Sequence, residues 1–329
     1  MSVVLGSGEF TYRLVENWEK LPAGYEFGDV AAVAVDEQDR VYVFNRGPHP
    51  MCVFDRDGNF LTSWGEDLFH HAHGLHMGPD ETLYCTDDGD HTVRRCTLSG
   101  KVLLEIGVPG RPCAFMSGAP FNRCTHTALS PKGEIYVSDG YGNARVHKYA
   151  PDGKLLASWG RSGCGPGEFN LPHNICCDGD GWVYVADREN HRVQVFDQNG
   201  IYETEWHGLH RPSGLYMPPG KCPICYIGEI GPYLAFNRGA PNLGPRVTIV
   251  DHAGRLLARL GTEPAAGTRP GQFLSPHGIA LDSRGDLYVG EVSVTAWPSL
   301  FPDVPVPRPV RSLQKFAKLP AGQGQNGQD

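Results

Sequence analysis

The chain has 329 residues, with 29 Lys and Arg against 37 Asp and Glu, giving a formal net charge of −8. With 40% apolar and 20% charged residues, its composition is that of a globular protein, not a disordered one. An acidic chain without a basic stripe is a poor binder of nucleic acid, and no apolar run reaches the ~18 residues of a membrane span, so neither partner is expected.

The chain holds 42 Gly and 27 Pro, which predicts frequent turns and few long helices. The first ten residues lack a basic stretch followed by an apolar one. No signal peptide is therefore expected, and the location inferred is cytoplasmic, with the ten cysteines reduced. Cys176 and Cys177 lie in an apolar strand-like run and read as packing residues. Cys222 and Cys225 form a Cys-x-x-Cys with no second pair close by, a weak signal for metal or redox chemistry.

In chain order, residues 12–18 read as a strand that belongs to no following unit. A four-strand phrase then recurs six times. Its second strands, at 41–45, 83–87, 135–139, 183–187, 225–229 and 287–291, all carry Tyr at their second position. They end on Asn45, Asp87, Asp139, Asp187, Glu229 and Glu291. Third strands follow at 51–54, 93–96, 146–149, 193–196, 247–250 and 313–316. Fourth strands follow at 60–65, 102–107, 155–160, 202–207 and 256–261, five where six are needed. The segment 12–18 supplies the sixth. The pattern predicts an all-β, six-bladed β-propeller whose last blade is closed by the N-terminal strand, which also removes a free sheet edge. One domain over 1–318 and a flexible tail over 319–329 are expected. Long connections at 107–125, 231–245 and the Pro-rich 292–310 are where a site would be built, and the last is expected to shape substrate choice.

Just before each first strand, the aligned positions read Ala31, His73, His126, His173, Ser213 and His277. First strands line the channel of a propeller, so residues at their entry converge on its axis. His73, His173 and His277 fall in alternate blades, and three imidazoles can each reach a metal at ~2.0–2.1 Å while leaving positions open. Neutral imidazole suits zinc, with another divalent transition metal such as iron or copper admissible. A lone His here would simply cap a turn; three at alternating positions favour the metal. His126 breaks the threefold pattern and is assigned to a substrate contact or a place behind the ligands. His71 is a rival to His73 but sits off the repeat position.

The loops after the second strands return to the same face and bring Arg46, Tyr141 and Arg188. A guanidinium forks onto carboxylates, and a phenol beside a metal and an Arg can give up its proton and act as a base. Singly, a loop Arg or Tyr is more often solvated or salt-bridged; the shared rim favours function.

The run 187–196, Asp-Arg-Glu-Asn-His-Arg-Val-Gln-Val-Phe, resembles NHL-repeat propellers. Residues 138–146, Ser-Asp-Gly-Tyr-Gly-Asn-Ala-Arg-Val, with Pro172-His173-Asn174-Ile175, Asn45-Arg46-Gly47 and Pro276-His277-Gly278, resemble the peptidyl-α-hydroxyglycine α-amidating lyase family. The resemblance spans about 30–291. It implies a catalytic zinc on His73, His173 and His277, Tyr141 as base, and Arg46 and Arg188 orienting that tyrosine and a substrate carboxylate. The implied reaction splits a carbinolamide, R-CO-NH-CH(OH)-COOH, into an amide and glyoxylate. Three positions depart from the family. Gly142 replaces a disulfide Cys. Gly278 replaces a calcium-ligating Asp, which puts calcium in doubt. Ser275 replaces a Met of the substrate pocket.

The expected function is thus a zinc-dependent lyase acting on a small α-hydroxy-amide. Two rivals stand beside it: a hydrolase or hydratase using metal-bound hydroxide with Glu229 or Glu291 as base, and a non-catalytic NHL binding scaffold. Sequence leaves the oligomeric state open.

Overall fold

The computed structural model describes residues 3–219 and 224–320. Six small antiparallel sheets form a ring, each with its first strand innermost. Blade I comprises Val30–Val35, Val41–Asn45, Met51–Phe54 and Phe60–Trp64. Blades II to V repeat the order, their first strands being Ala72–Met77, His126–Leu129, Pro172–Cys177 and Pro212–Tyr216. Blade VI starts at Pro276–Leu281, and its third strand Leu313–Lys318 pairs with the N-terminal Phe10–Val15. That pairing closes the ring as the strand count demanded. A further strand, Val4–Ser7, pairs outside Phe10–Val15, so blade VI has five strands rather than four. Val4-Leu5-Gly6-Ser7 is only four residues long and carries little alternation, and this is why the sequence did not announce it.

The repeated residues explain the packing. Second strands are buried along their whole length because a blade neighbours another on each face. Outer strands alternate or are exposed, as in Leu155–Trp159. In blades I, IV and V the turn before the fourth strand is held by an Asp that accepts two backbone N–H groups, as Asp197 does from Asn199 and Ile201 at 2.8 Å. The glycine of that turn has a second duty. Gly200 sits at φ 80°, and a Cβ there would lie 2.5 Å from the Trp159 indole of the preceding blade. Gly254 meets Trp206 in the same way. The recurring Trp and the recurring Asp-Gly are therefore two halves of one inter-blade contact.

The nine described cysteines are all free thiols, among them buried Cys176 and Cys225 and half-buried Cys177. Cys222 lies outside the described residues, as do 321–329 of the expected tail. Among the described residues no helix is long and apolar enough to cross a membrane. The Pro-rich 292–310 insertion is not all loop: it opens with the helix Ser293–Leu300.

Candidate metal centre and its cavity

Each of the three candidate ligand histidines sits on a bulge. The ladder between first and second strands slips at Ala72/Gly74, Pro172/Asn174 and Pro276/Gly278, leaving His73, His173 and His277 as the extra residues. A bulged residue is free of the ladder and can turn its side chain to the channel. The amide three residues ahead of each His is fixed by the acid ending the second strand of its own blade. Asp87 accepts from His70 N at 2.6 Å, Asp187 from Asn170 N at 2.7 Å and Glu291 from Leu274 N at 2.5 Å. The Asp/Glu terminus of the repeat thus anchors the approach to each histidine.

The three imidazoles converge, with ring centroids 4.7–4.8 Å apart and candidate ligand atoms all within 4.8 Å of one another. Their tautomers are set by the intervening blades. His73 Nδ1–H donates to the Thr125 carbonyl at 2.7 Å, His173 to Ser213 at 2.8 Å and His277 to Ala31 at 2.6 Å. This leaves all three Nε2 lone pairs facing the axis, the arrangement that orients metal-binding imidazoles. Burial first, then neighbouring histidines and arginines, keeps them neutral: His73 and His173 titrate well below the usual range and His277 at about 3. The residues fit a divalent transition metal, since donor identity, convergence and protonation state all agree.

The hydrogen bonds also correct the alignment of blade III. Thr125, not His126, is the residue equivalent to His73. His126 pairs with Ser138 as Gly74 pairs with Thr86 and Asn174 with Ala186, one step further down the channel. Blade III lacks the bulge, which hid the one-residue offset. Three of the six positions carry His, not four. His126 is not among the three clustered ligands and lines the space beneath them.

Above the imidazoles lies a cavity of about 370 Å³ lined by Arg46, Tyr141, Arg188, His277 and others. The Tyr141 hydroxyl is 3.1 Å from Nε2 of both His73 and His173. Its ring carries the Arg123 guanidinium 4.6 Å from its centroid and that of Arg188 at 5.6 Å. Arg46 reaches the cavity with Nη1 paired to Asp29 at 3.1 Å and Nε donating to the Ala72 carbonyl at 3.0 Å. Asp29 also accepts from the Val294 and Thr295 amides, so the 292–310 helix is fastened beside Arg46, and Val292 and Thr295 form part of the wall. Four arginines thus stand on this face. Arg123 is held by Asp88, and Arg188 and Arg211 share Glu189.

Sequence reasoning missed Arg123, Arg211, Tyr233 and the Asp88 pairing of His71. Arg123, Arg211 and His71 share one repeat position, two residues before Thr125, Ser213 and His73, but the residue type there varies from blade to blade, and Tyr233 lies in the 231–245 connection. Glu229 and Glu291 lie away from the cavity. Glu229 is buried against Arg246, Thr248 and the His210 amide, and Glu291 against Leu274, Ser275 and Gln314. At Gly278 a Cβ would lie 2.5 Å from Ala32 Cα, so a calcium-ligating side chain has no room as the strands stand.

Glu189 ties two of the arginines, and its ionisation is a measurable part of the site. Burial opposes its charge, but Arg211 and Arg188 outweigh it and hold the carboxyl down at about 2. A carboxyl depressed on folding stabilises the fold above its ordinary range and loses that contribution as pH falls through the folded value. The Glu189→Gln protein should therefore be less stable than the parent by at most about 3 kcal/mol near neutrality. In urea melts that gap should close as pH drops from about 5 to about 2.

An NHL repeat profile matches residues 169–196. The chain is 33% identical over 227 residues to NHL repeat-containing protein 3 of Homo sapiens, covering 64% of this chain and 65% of that one. It therefore spans just under two thirds of that relative's length. It is 28% identical over 312 residues to peptidyl-alpha-hydroxyglycine alpha-amidating lyase 2 of Drosophila melanogaster, covering 85% of this chain and 72% of the relative. In fold it is similar to a streptogramin B lyase structure, with a TM-score of 0.60, 12% identity, and coverage of 94% and 99% of the two chains.

Proposed function

We propose that this NHL-repeat propeller, similar in sequence to the peptidyl-alpha-hydroxyglycine alpha-amidating lyases, is a metal-dependent lyase. It cleaves a small α-hydroxy-amide bearing a carboxylate, releasing an amide and glyoxylate. The observation that carries this reading is the Tyr141 hydroxyl, 3.1 Å from two of three converging Nε2 atoms, in a cavity shared with Arg46 and Arg188.

The chemistry follows from those positions. His73, His173 and His277 would hold the metal, zinc being one ion that neutral imidazoles suit. When bound it supplies Lewis-acid polarisation of the substrate hydroxyl. The substrate carboxylate docks on Arg46 and Arg188, whose guanidinium groups are preset by Asp29 and Glu189. Docking brings the carbinol O–H towards Tyr141, which removes the proton as general base. The freed O–H electron pair becomes the C=O bond of glyoxylate while the C–N bond breaks. Tyr141 returns the proton to the departing amide nitrogen, so no water and no redox partner is consumed.

The test is direct. Purified, zinc-loaded protein incubated with N-benzoyl-α-hydroxyglycine should release stoichiometric glyoxylate and benzamide, with a turnover of about 1–10³ s⁻¹ on a good substrate. Absence of glyoxylate from every α-hydroxyglycine amide offered would remove the lyase reading.

A further inference from the structure

Of the three candidate ligands, His277 forms part of the wall of the upper cavity, and His73 and His173 do not. Tyr141 accounts for the difference. Its hydroxyl bridges the Nε2 atoms of His73 and His173, and its ring stands edge-on to theirs at 5.3 and 5.7 Å. The phenol thus covers the imidazoles of blades II and IV, and the cavity reaches the centre on the side of His277, in blade VI.

The residue that follows each second strand maps that open side. Taken round the ring, it is Arg188 in blade IV, Ile230 in blade V, Val292 in blade VI and Arg46 in blade I. All four line the cavity, so two arginines flank two apolar residues. The insertions add one wall residue over each apolar blade, Tyr233 from 231–245 and Thr295 from 292–310. Ile230 and Val292 are buried, whereas Tyr233 is half-buried and Thr295 exposed, so an occupant reaches the latter two.

Neither of these offers a charge. The Thr295 hydroxyl donates to Asp29, which leaves its methyl uncommitted. Tyr233 rests on the Arg211 guanidinium, 3.6 Å from the ring centroid. That guanidinium is buried and engaged, donating to Glu189 at 2.8 and 3.0 Å and to the Gly231 carbonyl at 3.1 Å. It presets one face of the Tyr233 ring and leaves the other for a ligand. The more exposed Arg123 belongs to the approach to blade III, where Asp88 holds it on the Tyr141 ring. No carboxylate lines the cavity among the described residues.

We propose that the wall of blades V and VI is an acyl subsite, with Tyr233 as its specificity residue, and that it takes a neutral, flat, apolar acyl group, an aroyl group fitting best. On the lyase reading, on which this assignment rests, the carboxylate of R-CO-NH-CH(OH)-COOH engages Arg46 and Arg188, and the R-CO end is left to the wall between them. An aromatic R stacks on the face of Tyr233 turned away from Arg211. A second carboxylate there would be desolvated with the wall arginines already engaged, and an ammonium would meet those arginines with no carboxylate to pair with.

N-acylglycines lack the carbinol hydroxyl and are not cleaved, so calorimetry on the intact, metal-loaded protein reads the subsite apart from the chemistry. N-benzoylglycine should bind about tenfold or more tighter than N-acetylglycine and N-succinylglycine. In Tyr233→Ala the benzoyl advantage over acetyl should shrink to about threefold or less, and Tyr233→Phe should keep it. Should Tyr233→Ala fail to fold, co-crystals with N-(4-bromobenzoyl)glycine decide the matter, because the anomalous bromine peak should lie against Tyr233. No saturable binding, no benzoyl preference, N-succinylglycine binding as tightly as N-benzoylglycine, a preference untouched in Tyr233→Ala, or a bromine peak away from Tyr233 would each overturn the proposal, whether or not the protein releases glyoxylate. The expected ranking without glyoxylate from any α-hydroxyglycine amide would keep the subsite and remove the lyase reading.

Discussion

Tyr141→Phe should lower kcat for glyoxylate release by about 10²–10⁴-fold, the usual worth of a positioned general base. The metal content of the protein should stay at the parent level. The substitution removes one oxygen and leaves its surroundings in place. The ring keeps its contacts with Arg123 and Arg188, and the loop stays fixed by Gly142 N donating to the Asn122 carbonyl at 2.8 Å. Arg46 and Arg188 remain to hold the substrate carboxylate, so KM should change little. A loss confined to kcat is the mark of an interaction made in the transition state. A Phe variant within about tenfold of the parent kcat would take the proton transfer away from Tyr141. If KM rose instead with kcat intact, the phenol would be a binding group, and the base would have to be sought elsewhere in the cavity.

The ring of blades was legible because each repeat repeats its physics. The Tyr of the second strand, the strand-end acid, the turn glycine and the Trp it packs on recur at fixed offsets in most blades. The same regularity exposed His73, His173 and His277, since side chains at one repeat position must meet at the axis. It failed where a blade broke the rule. Blade III has no bulge, so a reading by residue type slid onto His126, while the hydrogen bond from His73 Nδ1 identifies Thr125 as the equivalent residue. Glu229 and Glu291 were misjudged for a related reason. As strand-end acids they looked free, yet the repeat assigns that position to amide N–H groups of the preceding loop. The cavity wall was the least legible part. Tyr233 and Thr295 come from insertions of unrelated length, Arg123 and Arg211 from a repeat position whose residue type varies, and only tertiary folding brings them to one face. Arg46, Tyr141 and Arg188 were placed on the rim by the loops after the second strands, and the family resemblance then implied their roles.

His73→Ala should abolish lyase activity and lower metal content to a small fraction of the parent, by elemental analysis of protein dialysed against dilute chelator. The expectation rests on how few donors the site has. Three neutral Nε2 atoms are the whole ligand set among the described residues, and two imidazoles cannot complete the tetrahedral core that zinc favours. Altering even the group behind a ligand usually costs about 10–100-fold in affinity, so removing a ligand outright should cost more. Thr125 offers a separate lever, because its carbonyl accepts the His73 Nδ1–H at 2.7 Å and fixes which nitrogen faces the axis. A backbone acceptor cannot be deleted by a side-chain change, so the ligand itself is the informative site. The fold should survive, since the hydrogen bonds of the His70 and His71 amides to Asp87 hold this strand entry without the imidazole. Circular dichroism and the urea midpoint check that point. A well-folded His73→Ala protein that keeps its full complement of metal would return the three histidines to turn-capping residues. A parallel loss in His173→Ala and His277→Ala, with His126→Ala retaining metal, would separate the three ligands from the histidine one step below them.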